Sequence, residues 1–276
     1  MQRRFTLLAV VLSLFAPAAI AQGTRPRTVQ QRPAASVGAP QPKPSTAAAP
    51  LSFATIPFAA GETLSYNVDW NNNGTAATVV LRVGDKKTYY GNESVPLSAD
   101  VATVGMVRFI ANVQVHYASY SSPRTILPFR TESEQSINGK SENTSIVFDR
   151  SKNVAVVGTA TTPITPDTGD MLTLLYRLRA MPLKVGDTAT IEGFDGKRKF
   201  QVKSVVEAKE PLEGGARRSE ALRVALLPIR NGEPDDSMRI RVWYSTDASR
   251  VPVLITAEPD FGSIRMTLAK ASGVAN

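Results

Sequence analysis

From Leu64 onward the chain alternates apolar and polar residues with a period of two. Leu64, Tyr66, Val68 and Trp70 are separated by Ser65, Asn67 and Asp69, which makes one face of an extended segment apolar and the other wet. Asn71-Asn72-Asn73-Gly74 follows, a composition that tolerates the positive φ of a tight turn, and Thr75 to Val83 reads as the returning strand. The same grammar recurs at Glu132–Ile137 and Thr144–Phe148 around Asn138-Gly139. It returns toward the C-terminus at Phe200 and Val202, Leu222 to Leu226, Met238 to Tyr244, Val251 to Ile255 and Ile264 to Leu268. Turn residues at Asp195-Gly196, Gly214-Gly215, Asn231-Gly232 and Asp260-Phe261-Gly262 punctuate these runs, and connections this short join antiparallel neighbours.

The alternation lapses twice. Met171, Leu172, Leu174, Leu175 and Leu178 fall at helical spacing, with Asp167 or Thr168 available as N-cap after Pro166. Asp170 sits near the positive end of this predicted helix, Arg177 and Arg179 near the negative end, and Pro182 stops it. A second, weaker helix is expected between Val104 and Asn112. A helix with one apolar stripe lies against the apolar face of a sheet. The fold class expected is therefore mainly β: a long curved antiparallel sheet, half-barrel-like, with one or two short helices packed on it. A membrane-spanning barrel fits less well, because Arg239, Arg241 and Arg265 take outward positions and the chain ends in polar Asn276.

The first 57 residues read differently. Arg3 and Arg4, the apolar run Leu7 to Ala16, and the small residues Ala19-Ile20-Ala21 before Gln22 form a secretory signal peptide over 1–21, cleaved between Ala21 and Gln22. The apolar run is too short to span a bilayer as a resident helix. Residues 22–57 hold Pro26, Pro33, Pro40, Pro42, Pro44 and Pro50 among Ala, Ser, Thr and Gln, the composition of a disordered Pro/Ala-rich linker. A single β-rich domain is expected over 58–272. These features place the protein outside the cytoplasm, in the periplasm, as a soluble chain without a lipid anchor rather than an integral membrane protein.

Charge and cysteine content remove several classes of function. The formal net charge of +8 invites a nucleic-acid reading, yet Arg3, Arg4, Arg25, Arg27, Arg32 and Lys43 all precede the domain. Without those six, 26 basic residues face 24 acids, so the domain carries no basic footprint for a nucleic acid. With no cysteine, disulfides, thiolate metal sites and a cysteine nucleophile are impossible.

No pattern of catalytic type emerges, and neither a metal nor a cofactor is expected. His116 is the only histidine, its neighbours Val113, Val115 and Tyr117 place it on a strand, and no nucleophile elbow accompanies it. A glycosidase-like pair of carboxylates needs two acids facing one cleft. The candidates are Asp167 with Asp170, which helix capping explains, and Asp235 with Asp236, which a polar turn explains. Trp243 lies on the face opposite Ile240 and Val242 beside Arg239 and Arg241, so it is either covered by a second layer or exposed as a ligand or partner contact. Together with Tyr176 and Arg179 on the helix, it makes up the set of candidate ligand-binding residues.

Several segments resemble a known family in order and spacing: Gly61-Glu62-Thr63-Leu64-Ser65-Tyr66, Phe148-Asp149, Asp170 to Arg179, Trp243 to Asp247, Arg250-Val251-Pro252-Val253, and Gly262-Ser263-Ile264. Together they resemble the exported bacterial family called domain of unknown function 3108. The resemblance implies a periplasmic, mostly antiparallel β domain and brings no activity or catalytic residues with it. The architecture is also similar to the half-barrels of periplasmic lipoprotein carriers, a likeness of fold alone. The function expected is a non-catalytic envelope module that binds an apolar ligand, a lipid or a protein partner in the concavity of its sheet. A carboxylate-based envelope hydrolase and an interaction scaffold are the alternatives.

Overall fold

The computed structural model describes residues 52–212, 219–260 and 262–275. The expected signal peptide, its cleavage point at Ala21 and Gln22, and the linker up to Leu51 lie outside the described residues, as do Gly214-Gly215 and Phe261.

In chain order the elements are β1 (Thr63–Trp70), β2 (Thr75–Val83), β3 (Lys87–Tyr89), β4 (Asn92–Thr103), α1 (Val107–Ile110), β5 (Val113–Ser121), β6 (Pro128–Ile137), β7 (Lys140–Asp149), β8 (Val154–Val157) and β9 (Ala160–Pro163). There follow α2 (Met171–Ala180), β10 (Thr188–Phe194), β11 (Lys199–Leu212), β12 (Ser219–Arg230), β13 (Glu233–Pro234), β14 (Ile240–Ser245), β15 (Pro252–Ala257) and β16 (Ile264–Ser272). The strands form one antiparallel sheet in the order β10-β11-β12-β14-β15-β16-β1-β2-β4-β5-β6-β7-β8-β9, with β3 and β13 as appendages on β4 and β12.

The alternation read from the sequence decides which face is buried. Leu64, Tyr66 and Val68 of β1, Val79 and Leu81 of β2, Leu97 and Ala99 of β4, and Val113 and Val115 of β5 all point into the main core. The β1–β2 turn takes the expected form: Asn71 and Asn72 have φ of 52° and 56°, and Gly74 has φ of 86°. At the other margin, Phe53 and Ile56, inside the stretch assigned to the linker, pack against the core, and Phe53 N–H donates to the Arg124 carbonyl at 2.8 Å.

The two ends of the sheet are drawn together. Gly169, in the strap between β9 and α2, forms a parallel bridge with Gly193 on the free edge of β10. Its N–H donates to the Glu192 carbonyl at 2.8 Å, and its own carbonyl accepts from Phe194 N–H at 3.0 Å. Phe194 then packs in a small second cluster with Ile146 and Phe148 of β7, Ala155 of β8 and Ile164 of the strap. The side-chain space at Gly193 is taken by the Phe200 ring from β11, so a Cβ there would collide with it.

This wrapping changes the setting of α2. A single buried stripe was expected, but every residue from Leu172 to Arg179 is buried, the two arginines included. A sheet that curls around a helix removes water from all of its faces, so Arg177 and Arg179 find partners inside. The N-cap also differs from the expected Asp167 or Thr168: it is Asp170, in extended backbone, whose side chain accepts from Thr173 N–H at 2.8 Å while the Thr173 hydroxyl accepts from Asp170 N–H at 2.9 Å. Thr168 is held in the strap, where its hydroxyl accepts from Thr165 N–H at 3.0 Å. The weaker helix is present as the single turn α1.

Candidate functional site

The interior of the barrel-like sheet holds charge as well as apolar side chains. Glu62, in the tight entry to β1, and Arg179, on the last turn of α2, are 0% and 1% exposed. They pair bidentately, Nη1 to Oε1 and Nη2 to Oε2, both at 2.6 Å. Arg179 Nε also donates to the Ser249 carbonyl at 2.7 Å, and Nη2 to the Pro57 carbonyl at 3.1 Å. Its guanidinium lies 5.4 Å and 5.7 Å from the ring centroids of Phe58 and Tyr176. Entry to this site depends on Gly61, whose φ of 88° turns the chain so that its N–H reaches the Val83 carbonyl at 2.9 Å.

Three buried tyrosines surround this end of the helix. Tyr66 donates to the Pro252 carbonyl at 2.8 Å and Tyr244 to the Leu175 carbonyl at 3.1 Å. Burial raises the pKa of each, and that of Tyr176, well above the ordinary phenol value, so all three are neutral. Tyr176 differs in that its hydroxyl is buried with no hydrogen-bond partner among the described residues. Tyr176→Phe is therefore expected to leave stability unchanged or raise it by about 1 kcal/mol, while Tyr244→Phe should lose about 1 kcal/mol. Urea unfolding of the two variants checks the contrast.

At the other end of α2, the Asp170 carboxylate accepts from the Ser119 hydroxyl at 2.6 Å besides capping Thr173. Burial raises its pKa against the opposing pull of these bonds. An acid that holds its proton more tightly in the folded state stabilises the fold at low pH. That contribution is complete below the ordinary Asp value of about 3.9 and is lost as pH rises through the raised value. Asp170→Asn, neutral throughout, should remove this fall, so the urea midpoint of the variant relative to wild type is expected to rise with pH across that window. A parallel pair of curves would contradict it.

Two further arginines fasten the strap that leads into α2. Arg177, fully buried, donates from Nη2 to Asp167 Oδ1 at 2.7 Å and from Nη1 to the Asp167 carbonyl at 3.2 Å. Arg150 donates to the carbonyls of Pro128, Pro166 and Thr168, and burial pushes its pKa down to about 10.

The expected ligand-binding residues thus divide. Tyr176 and Arg179 come together around Glu62 inside the sheet. Trp243 lies on the outer face, half-buried, in a ladder of ion pairs across β11, β12 and β14. Its indole N–H donates to Glu210 at 2.7 Å, Arg223 bonds both Glu210 and Glu207, and Arg241 bonds Glu207 and Asp236.

The two carboxylate pairs and His116 that a hydrolase would use lie on different elements, and each acid is engaged in a structural bond. Asp167 holds Arg177 and Asp170 caps α2. Asp235 receives Ser237 N–H and faces Arg230, and Asp236 faces Arg241. The backbone bond from Ser237 lowers the pKa of Asp235, and the side-chain bond from Arg241 lowers that of Asp236. His116 is half-exposed on β5, with Nδ1 2.6 Å from Asp100 Oδ1. Among the described residues no group of three or more His, Asp or Glu could hold a metal ion, and no helix is long and apolar enough to cross a membrane.

Comparison with known proteins agrees with this architecture. The model of the protein family of unknown function DUF3108 matches residues 65–269. The chain belongs to the DUF3108 family. No curated protein matches it. Among solved structures, a beta-barrel-like protein of the domain of unknown function DUF1849 from Brucella abortus aligns with a TM-score of 0.55 and 10% identity, covering 78% of this chain and 98% of its own. A DUF1089 family protein from Pseudomonas aeruginosa aligns at a TM-score of 0.34 and 11% identity, over 74% and 93% of the two chains. The first likeness shows a shared fold; the second carries no argument.

In this DUF3108 chain, four of the segments that carry the resemblance meet at the C-terminal end of α2. Gly61-Glu62 supplies the carboxylate and α2 supplies Arg179. The turn after β14 supplies the Ser249 carbonyl, with Arg250 bonded to the Met181 carbonyl. Asp247 shapes that turn by accepting from the backbone N–H groups of Ser249 and Arg250 at 3.0 and 3.2 Å. Glu62 and Ser249 were not foreseen as partners of Arg179. The signal available was a glutamate set between Gly61 and the first apolar position of a strand.

Proposed function

We propose that this DUF3108 chain is a non-catalytic module of the bacterial envelope, exported to the periplasm by a signal peptide cleaved between Ala21 and Gln22. On this reading a linker over 22–57, whose Phe53 and Ile56 already pack on the core and whose Pro57 carbonyl accepts from Arg179, leads into one domain over 58–272, and the domain works by contact on its outer surface. The observation that carries it is α2, which occupies the concavity of the sheet and is fixed at both ends by buried polar bonds. A ligand entering that concavity would have to displace a helix whose departure strands Arg179 and Glu62 as unpaired charges. The separation of the Asp167–Asp170 pair, the Asp235–Asp236 pair and His116 on different elements, with each acid engaged in a structural bond, supports a non-catalytic role over the hydrolase alternative. Tyr176 and Arg179 serve in this reading as structural residues, and Trp243 as part of a surface ladder.

Native mass spectrometry of the processed protein, recovered without detergent from cells that export it, tests the reading. The mass of the bare chain is expected. A stoichiometric lipid or other apolar molecule, released only on denaturation, would refute it.

A further inference from the structure

The loop between β4 and β5 turns apolar side chains to water. Three of the six well-exposed large apolar residues among those described lie within five consecutive positions: Met106 at 78%, Phe109 at 87% and Ile110 at 73%. Their spacing of three and four places them on one face of a helical turn, and α1 has no buried residue. An apolar face of this kind, left outside a core that buries so much else, marks a contact surface.

The face is held in place by its base. Val104 N–H donates to the Ala76 carbonyl at 2.9 Å. The Thr103 hydroxyl donates to the Ala111 carbonyl at 2.8 Å and accepts from Val113 N–H at 2.9 Å. Asn112 and the β6–β7 turn exchange two bonds: Asn112 N–H donates to Asn138 Oδ1 at 2.9 Å, and Asn138 N–H donates to the Asn112 carbonyl at 2.8 Å. The apolar residues are therefore presented from a braced foot.

Charge selects the occupant. The chain has no Asp or Glu between Asp100 and Glu132, so the loop carries no acid. Arg108 is exposed on α1 itself, and exposed Lys140 follows the turn bonded to the loop, while Glu142, the next acid along β7, is engaged by Gln135 at 2.8 Å. Apolar residues flanked by cations suit an anionic lipid surface, where Phe, Ile and Met enter the boundary of headgroups and acyl chains while Arg and Lys meet phosphate. A two-fold pairing of two copies through so small a face would crowd two Arg108 side chains together. We infer that Met106–Ile110 is the contact by which this chain docks onto an anionic lipid bilayer. This deepens the reading of an outer-surface contact module and rests on it.

The absence of cysteine from the sequence makes the test specific. Phe109→Cys in the processed protein, labelled with an environment-sensitive fluorophore, reports on this face alone, and labelled Val185→Cys in the loop after α2 serves as an exposed apolar control. With phosphatidylglycerol vesicles the label at 109 should shift to the blue and brighten, with less response to phosphatidylcholine vesicles and none at 185. Phe109→Asp should lower the vesicle-bound fraction about tenfold in sedimentation. No response at 109 on anionic vesicles would overturn the inference. So would the same response on raising protein concentration without lipid, which would assign the face to a second copy, or a response only to an added protein. A lipid carried by the chain in native mass spectrometry while the label at 109 still responds would remove the functional reading and leave this contact standing.

Discussion

Glu62→Gln is expected to lower stability by about 3–5 kcal/mol, the cost of leaving a buried guanidinium without its counter-charge. Arg179 has four acceptors in this structure: two carboxylate oxygens and two backbone carbonyls. The carbonyls remain in the variant, but a neutral amide offers one acceptor where two charged oxygens stood, and water cannot replace them at 1% exposure. The loss measures the stranded charge rather than the worth of the pair. Glu62→Leu combined with Arg179→Met should therefore recover most of it, since no charge is left unpaired. Urea unfolding at neutral pH of the single and double variants makes the comparison. A single-variant loss below about 1 kcal/mol would mean that water reaches the pair.

Leu178→Ala is expected to cost about 2–5 kcal/mol, because Leu178 has no exposed surface and the sheet around α2 can collapse only partly into the space left. Ile110→Ala, on the exposed face of α1, should change stability by less than about 0.5 kcal/mol. The pair separates the two apolar sets of this chain by what they are for. One holds the fold together and the other contributes almost nothing to it. Thermal or urea unfolding checks both, and similar losses at the two positions would show that the α1 face is covered in the native protein.

The strands were legible because a half-buried sheet writes its burial into alternate residues. Leu64, Tyr66, Val68, Val242 and Tyr244 are buried as their spacing predicts, and Asn71 to Gly74 turn where their backbone tolerance allows. The enclosure of α2 was not legible. Arg177 and Arg179 complement the helix dipole at a surface as well as they pair inside, and local sequence does not distinguish the two settings. What decides is the closing of the sheet through Gly169, Gly193 and Phe194, a contact between segments far apart in the chain. The same long range hid the partner of Arg179, since Glu62 lies 117 residues away. The N-cap was misplaced by a few residues because Asp167, Thr168 and Asp170 are all competent caps, and only the strap geometry chooses among them.

Native-state hydrogen exchange of the α2 amides is the most direct measurement of whether the helix is a permanent part of the interior. If it is, Leu174 to Leu178 should exchange only through global unfolding, with the same protection as β1, β2 and β4, and with no change when vesicles are added. Exchange of these amides through a separate, lower-energy opening, deepened by lipid, would contradict the plugged interior and return the concavity to consideration as a binding site.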